Sequence, residues 1–402
     1  MKILMVNKFL YPAGGAETYM FGLGDYLKSS GHQVEYFGMD SVDRCVSNSI
    51  DCYTDNVDFR NAGFTSKIKY SLKTIYSKEA KEKIGKVLDS FKPDVVHLNN
   101  INFQLTPSII YAIKERNIPI VQTVHDVQIS CPNHRMYNEQ TEKICSECFD
   151  GKYIKCTKNR CVHGSLLKSA IASYESHYYH KKDTYNLIDR YICPSQFIAD
   201  VIINAGVKED KTTVLHNYCK DFGVLPPKDK SRKYVLYFGR LSVEKGIKTL
   251  IEACRELKDI QFVFAGTGPL ADLCKDIKNI EAVGFKSGDE LKTLIRNATF
   301  SLCPSECNEN CPMSILESSA LGTPVICSRL GGAPELVTPG ETGEIFTAGD
   351  KEDLKIKILK LYNNPSLVDK MSESCIKAST NTIQNYSDKL ISIYQSLMKL
   401  RG

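Results

Sequence analysis

Short, continuous apolar runs of strand length return along this chain, each followed by a stretch with helical spacing. Lys2–Asn7, Gln33–Phe37, Asp94–Leu98, Ile118–Val124, Arg190–Cys193 and Thr213–His216 form one series. A second opens at Tyr234–Phe238 and continues through Gln261–Ala265, Ile280–Gly284, Thr299–Cys303 and Pro324–Cys327. Runs rich in Val and Ile without polar alternation mark parallel strands covered on both faces, and strand–helix alternation winds them into open α/β sheets. Between the first two runs, Ala16–Ser30 reads as a helix closed by Gly31. The series break near Pro226–Lys233, and 402 residues exceed one ordinary core. Two Rossmann-like domains are therefore expected, over residues 1–220 and 221–380. A helix-periodic tail (Leu390, Ile391, Ile393, Tyr394, Leu397, Leu400) predicts a last helix within 381–402, packing back on the first domain.

A net charge of +5 permits anionic ligands, but the lysines are scattered rather than gathered with aromatics, so no nucleic-acid partner is expected. No run approaches the eighteen apolar residues of a membrane span. Met1–Asn7 runs straight into Pro12 and Gly14-Gly15, which reads as a buried strand and turn rather than a secretory signal. The expected location is the cytoplasm, where the 16 cysteines would be reduced, buried or metal-bound. Oligomeric state leaves no mark in the sequence.

In doubly wound sheets, ligands bind beyond the carboxyl ends of the strands. Gly14-Gly15, His125-Asp126 and Gly239-Arg240 all fall at such ends, and two sheets facing each other would enclose an interdomain cleft. Arg240 and Lys245 lie on the turn before a helix that begins near Gly246, where cations and a helix N-terminus suit phosphate. Downstream, Glu309 sits on a loop and Glu317 a turn into a helix opened by Asn310 and Pro312 and closed by Gly322. The backbone from Asn310 through Cys311, Pro312 and Met313 to Ser314 can face a phosphate or sugar hydroxyl, and a carboxylate suits two vicinal hydroxyls. Together these residues suit a diphosphate joined to hydroxyl-rich rings, a nucleotide sugar. No Gly-x-Gly-x-x-Gly follows either first strand, which argues against a dinucleotide dehydrogenase.

In chain order, Gly14-Gly-Ala-Glu17, Asp94-Val-Val-His97, Thr123-Val-His-Asp126, Phe238–Gly246, Phe264-Ala-Gly-Thr-Gly268, Pro304-Ser-Glu306, the Glu309/Glu317 pair, Gly322-Thr-Pro-Val325, Gly331–Glu335 and Gly340–Gly343 resemble the family 4 glycosyltransferases of the GT-B fold, nearly end to end. The resemblance implies two facing Rossmann-like domains and a retaining transfer from a nucleotide-diphosphate sugar, UDP favoured, to a glycan or lipid-linked acceptor in cell-surface polysaccharide assembly. It implies that Arg240 and Lys245 grip the diphosphate, Glu317 holds the ribose, Glu309 contacts the transferred sugar, Phe285 borders the base, and Gly15 and Gly268 approach the nucleotide sugar. His125 would touch the donor sugar. Family members carry small glycine-rich residues where Asn310-Cys311-Pro312 stand here. No Asp-x-Asp motif appears where a donor cation would bind, so no catalytic cofactor is expected. A nucleotide-sugar epimerase of the same architecture is the alternative, and a zinc-containing nucleic-acid-binding protein a weaker one.

Residues 131–163 form a cysteine-rich insertion after the fourth run. Cys145-x2-Cys148 with Cys156 and Cys161 can close a tetrahedral structural zinc site, with Cys131 or a histidine as substitutes. The basic, aromatic stretch Lys67–Tyr70 and Lys73–Tyr76 is an amphipathic candidate for peripheral contact with the cytosolic face of the inner membrane.

Overall fold

The first apolar series becomes one sheet of six parallel strands, ordered β2-β1-β3-β4-β7-β8, in the computed structural model. These are β1 (Lys2–Val6), β2 (Gln33–Phe37), β3 (Val95–Leu98), β4 (Ile120–Thr123), β7 (Arg190–Cys193) and β8 (Thr212–Val214). The insertion carries two short strands, β5 (Tyr137–Asn138) and β6 (Lys143–Ile144). The second series becomes another parallel sheet, ordered β11-β10-β9-β12-β13-β14. It comprises β9 (Val235–Phe238), β10 (Phe262–Ala265), β11 (Ile280–Gly284), β12 (Phe300–Cys303), β13 (Val325–Ser328) and β14 (Gly343–Phe346). The structure describes residues 1–56, 73–219, 222–229 and 231–400.

The chain divides into two units, each with its own sheet. One holds Met1–Thr141, Cys145–His216 and Ile383–Gly402; the other holds Glu142–Ile144 and Asn217–Thr382. The central strands are buried on both faces, with Ile3, Leu4, Met5 and Val6 wholly inaccessible, as their unbroken apolar runs require. Strand order reverses between β1 and β3 in the first sheet and between β9 and β12 in the second. Such reversals open crevices at the strands' carboxyl ends.

The first helix spans Gly15–Ser29, one residue ahead of the sequence reading. Its end is a Schellman turn: Gly31, at φ +85°, donates to Lys28 O and His32 to Leu27 O. β14 was not visible in the sequence, because it opens on Gly343 of a turn and carries Glu344 inward. That carboxylate is 3% exposed and lies 2.5 Å from Lys360 Nζ.

The last helix, Ile383–Lys399, belongs to the first unit. It buries Tyr386, Leu390, Tyr394 and Leu397, while Leu400 is 81% exposed and has no share in the packing stripe. Two tyrosines anchor it. Tyr394 Oη meets His97 Nδ1 at 2.5 Å, and His97 Nε2 meets Thr123 Oγ1 at 2.8 Å. Thr123 in turn meets Tyr19 Oη at 3.1 Å, which meets Tyr386 Oη at 2.6 Å. A buried polar chain this complete is favourable only because every member has a partner.

Among the described residues no helix is long and apolar enough to cross a membrane. Of the amphipathic stretch, Lys67–Tyr70 lie outside the described residues. Lys73 pairs with Glu79 at 3.2 Å, and the Ile75 carbonyl accepts from Tyr179 Oη at 2.6 Å.

Candidate functional site

In the second unit the loops after β9 and β12 meet where the strand order reverses. The β9 loop runs through Gly239 and Arg240 into a 3-10 turn at Val243–Lys245, and the next helix starts at Ile247. Gly246 links them at φ +70°; a Cβ there would lie 1.9 Å from Pro304 O of the β12 loop. Only glycine permits both that backbone conformation and that approach. Glu306 N donates to Glu244 O at 2.9 Å, joining the loops edge to edge. On the other side Gly331, at φ +60°, brings the β13 loop onto the Glu309 backbone, and Gly332 N donates to Glu309 O at 2.7 Å.

This convergence sets the site's charges. Lys245 Nζ lies 2.5 Å from Glu309 Oε1, which also accepts from Ser305 Oγ at 2.6 Å. Burial pulls the Lys245 ammonium down, but the Glu309 carboxylate against it wins and raises it, so it stays charged. Arg240 is exposed and makes no ion pair among the described residues. Its guanidinium stands uncommitted on the same loop as Lys245.

The helix Met313–Ala320 follows, capped by Pro312 and closed by Gly322 at φ +67°. Glu317 lies a turn inside it. Its carboxylate has no hydrogen-bond partner among the described residues, and burial raises it to about 7. A half-buried carboxylate without donors is costly unless a ligand supplies them. Met313 and Ser314 stand in the first turn, where N–H groups have no acceptor within the helix; Pro312 has no N–H to give. Cys311 turns its side chain into a small apolar cluster with Cys219 and Leu316. Gly268, after β10, lies where a Cβ would meet Leu241 O at 2.3 Å, so it lets the β9 and β10 loops touch. Phe285, after β11, is 72% exposed, a ring no core claims. Arg240, Lys245, Gly268, Phe285, Glu309, Asn310 and Glu317 thus share the carboxyl edge of one sheet.

The first unit has its own polar crevice at the β1/β3 reversal. Lys8 Nζ donates to Asn102 Oδ1 at 2.7 Å, and Asn102 Nδ2 lies 2.6 Å from Asp126 Oδ2 and 2.8 Å from His134 Nδ1. His125 follows β4, with Nε2 2.8 Å from Asn99 Oδ1 and its ring edge-on to Tyr19 at 5.0 Å. An amide oxygen only accepts, so Nε2 carries the proton. Burial holds both His125 and His134 down at about 4, so both are neutral near pH 7. Gly15 opens the first helix at the end of β1, and a Cβ there would meet nothing within 4 Å. Asn7, Lys8, Asn99 and Asn102 were not among the sequence candidates. Isolated asparagines carry no motif, and only the adjacency of β1, β3 and β4 gathers them.

The family description "Glycosyltransferase Family 4" matches residues 13–218, half of the chain, and "Glycosyl transferases group 1" matches residues 225–382. An uncharacterized glycosyltransferase of Methanocaldococcus jannaschii is 30% identical over 53% of this chain and 60% of its own length. A second from that organism is 26% identical over 84% and 83%. An uncharacterized 42.6 kDa protein in the cps region of Klebsiella pneumoniae is 24% identical over 84% and 87%. Among solved structures, a sucrose-phosphate synthase from Thermosynechococcus elongatus superposes over 99% of both chains with TM-score 0.73 and 17% identity. Anabaena HepE in complex with UDP-glucose covers 98% of this chain and 100% of its own, with TM-score 0.65 and 17% identity. The fold is that of these proteins, GT-B, built of two Rossmann-like domains.

Proposed function

The chain belongs to glycosyltransferase family 4, and from that premise we propose that it moves a sugar, with retention of anomeric configuration, from a nucleoside-diphosphate donor to a glycan or lipid-linked acceptor. One observation carries the donor side of this reading. An unpaired guanidinium at Arg240, an ammonium at Lys245, a partnerless carboxylate at Glu317 and an exposed ring at Phe285 lie along one sheet edge. That is the complement a diphosphate, a ribose and a base require.

Breaking the sugar–phosphate bond leaves negative charge on the departing oxygen. Preorganised positive charge facing that oxygen is usually the largest catalytic contribution. Arg240 and Lys245 supply it, which is our ground for proposing transfer without a divalent cation. Glu309 holds Lys245 in place and turns its remaining acceptor capacity toward the sugar. Retention follows from attack on the same face, with the leaving oxygen taking the acceptor's proton, so no protein base is assigned. In the first unit, neutral His125 is held in place by the N–H it gives Asn99 and does not shuttle protons. UDP is the favoured carrier, supported by the HepE complex with UDP-glucose. Assembly of a surface polysaccharide at the cytosolic face of a membrane is the favoured setting, supported by the relative in the Klebsiella cps region.

A thermal-shift panel of UDP-, GDP- and dTDP-sugars on wild type and Arg240→Ala tests the donor reading. UDP-sugars should raise the wild-type midpoint. Arg240→Ala should stay folded, lose that rise and lose about 2–4 kcal/mol of transition-state stabilisation, roughly 30- to 900-fold in rate. A panel with no shift, or a variant indistinguishable from wild type, overturns the assignment. Free nucleotide released only when an acceptor is present would exclude the epimerase.

A further inference from the structure

The insertion after β4 gathers five thiols. Cys131, Cys145, Cys148, Cys156 and Cys161 line a single cavity of about 10 Å³, room for one water-sized sphere. Cys148 and Cys156 are 7% and 1% exposed and pack with Tyr153, with Cys161 against them. Cys161 N donates to Cys156 O at 3.1 Å. Cys131 is 9% exposed, and its thiol donates to Asn133 Oδ1 at 3.0 Å. All five are free thiols.

Cys131 and Met136 of this segment join the first unit's main core, and the segment has besides a small cluster of its own. The buried members of that cluster are Cys148, Tyr153 and Cys156, with Cys161 and Val162 packed on them. Ordering each residue costs about 1–2 kcal/mol of backbone entropy, and six buried apolar side chains (Cys131, Met136, Tyr137, Cys148, Tyr153 and Cys156) are few for a loop of this length. A cross-link would add to them. We propose that the cavity binds one zinc ion through four of these five cysteines, with Cys148 and Cys156 indispensable and Cys131 a ligand candidate of equal standing with Cys145 and Cys161. Each ligating thiol gives its proton to solvent as its sulfur bonds the metal. Among the described residues no three His, Cys, Asp or Glu side chains already stand at coordinating spacing, so the sulfurs draw inward on binding to about 2.3 Å from the ion. The histidine alternatives fall away: His134 is stacked on Phe103 and bound to Asn102, and His163 is exposed. Cys131 N and Ser130 N both donate to Val127 O, one residue past Asp126. The ion would therefore brace the segment that carries His125 and Asp126.

The test is metal content and thiol count on the full chain purified under reducing conditions. Elemental analysis should give about one zinc per chain, released by a mercurial with reversal by thiol. After chelation in denaturant all 16 cysteines should titrate. Cys148→Ser and Cys156→Ser should each lower zinc at least tenfold, and serine at each of Cys131, Cys145 and Cys161 should leave one variant that keeps it. Wild type without zinc overturns the proposal whatever the variants do. So does zinc retained in the Cys148→Ser/Cys156→Ser double variant, or fewer than 16 titratable thiols with no metal, which would mean disulfides.

Discussion

At Glu317 the fold and the ligand make opposite demands. Burial raises the carboxyl to about 7, against 4.5 for a free side chain. Between those values the folded protein keeps a proton that the unfolded chain has lost. Stability therefore falls as pH rises through 4.5 to 7 and levels off above. At about 1.36 kcal/mol per pKa unit, the loss at pH 8 reaches about 3 kcal/mol, an upper figure because solvent reaches part of the side chain. Glu317→Gln keeps the shape and removes the charge. The variant should be more stable than wild type by up to about 3 kcal/mol at pH 8 and by under about 1 kcal/mol at pH 5. If the second unit melts on its own, that is a rise of about 6–12 °C at pH 8. Scanning fluorimetry with urea titrations at both pH values reads it. The same variant should lose the donor-induced shift, because an amide presents one acceptor and one donor where two ribose hydroxyls need two acceptors. A glutamine variant no more stable at pH 8 than wild type, or one shifted equally at both pH values, refutes the reasoning.

Two further outcomes follow from the first unit. Tyr394→Phe strips the partner from the buried His97 Nδ1 and should cost about 1–3 kcal/mol in urea unfolding, with donor binding in the second unit unchanged; no loss of stability would show that the tyrosine chain is ornamental. Because burial holds His125 at about 4, the rate should show no inflection near pH 6.5, and the inflection near 7 should vanish in Glu317→Gln. A step near 6.5 that survives Glu317→Gln and disappears in His125→Asn would contradict the neutral-histidine role.

What could be read from the sequence was whatever lies close together along it. Eleven of the twelve strands in the two six-stranded sheets can be read from the sequence, most plainly the central ones, where burial on both faces leaves runs such as Ile3–Val6 or Val235–Phe238 without polar interruption. β14 hides behind Gly343 and an inward glutamate whose lysine partners lie on a later helix. Glu309 and Glu317 could be placed on loop and helix from Pro312 and Gly322. That Glu309 clamps Lys245 could not, since the β12–β9 adjacency that joins them is a property of strand order. The asparagine crevice was out of reach for the same reason. Cys131 lies well before the Cys145-x2-Cys148 spacing that signals a metal; its place in the cavity comes from the turn at Val127, not from spacing.

The chain leaves the first unit after His216 and re-enters it at Ile383, and the outgoing and returning segments are bonded where Cys219 N meets Asn381 O at 2.8 Å. During synthesis, therefore, the later-coded lobe can finish first, while the earlier one waits with Tyr19, His97 and Thr123 uncovered until its closing helix emerges. A stop codon near residue 380 would spare nearly all of the second unit and strand the first. Apart from Glu142–Ile144, the second unit is one uninterrupted stretch of chain, whereas the first is closed only by residues coded after it.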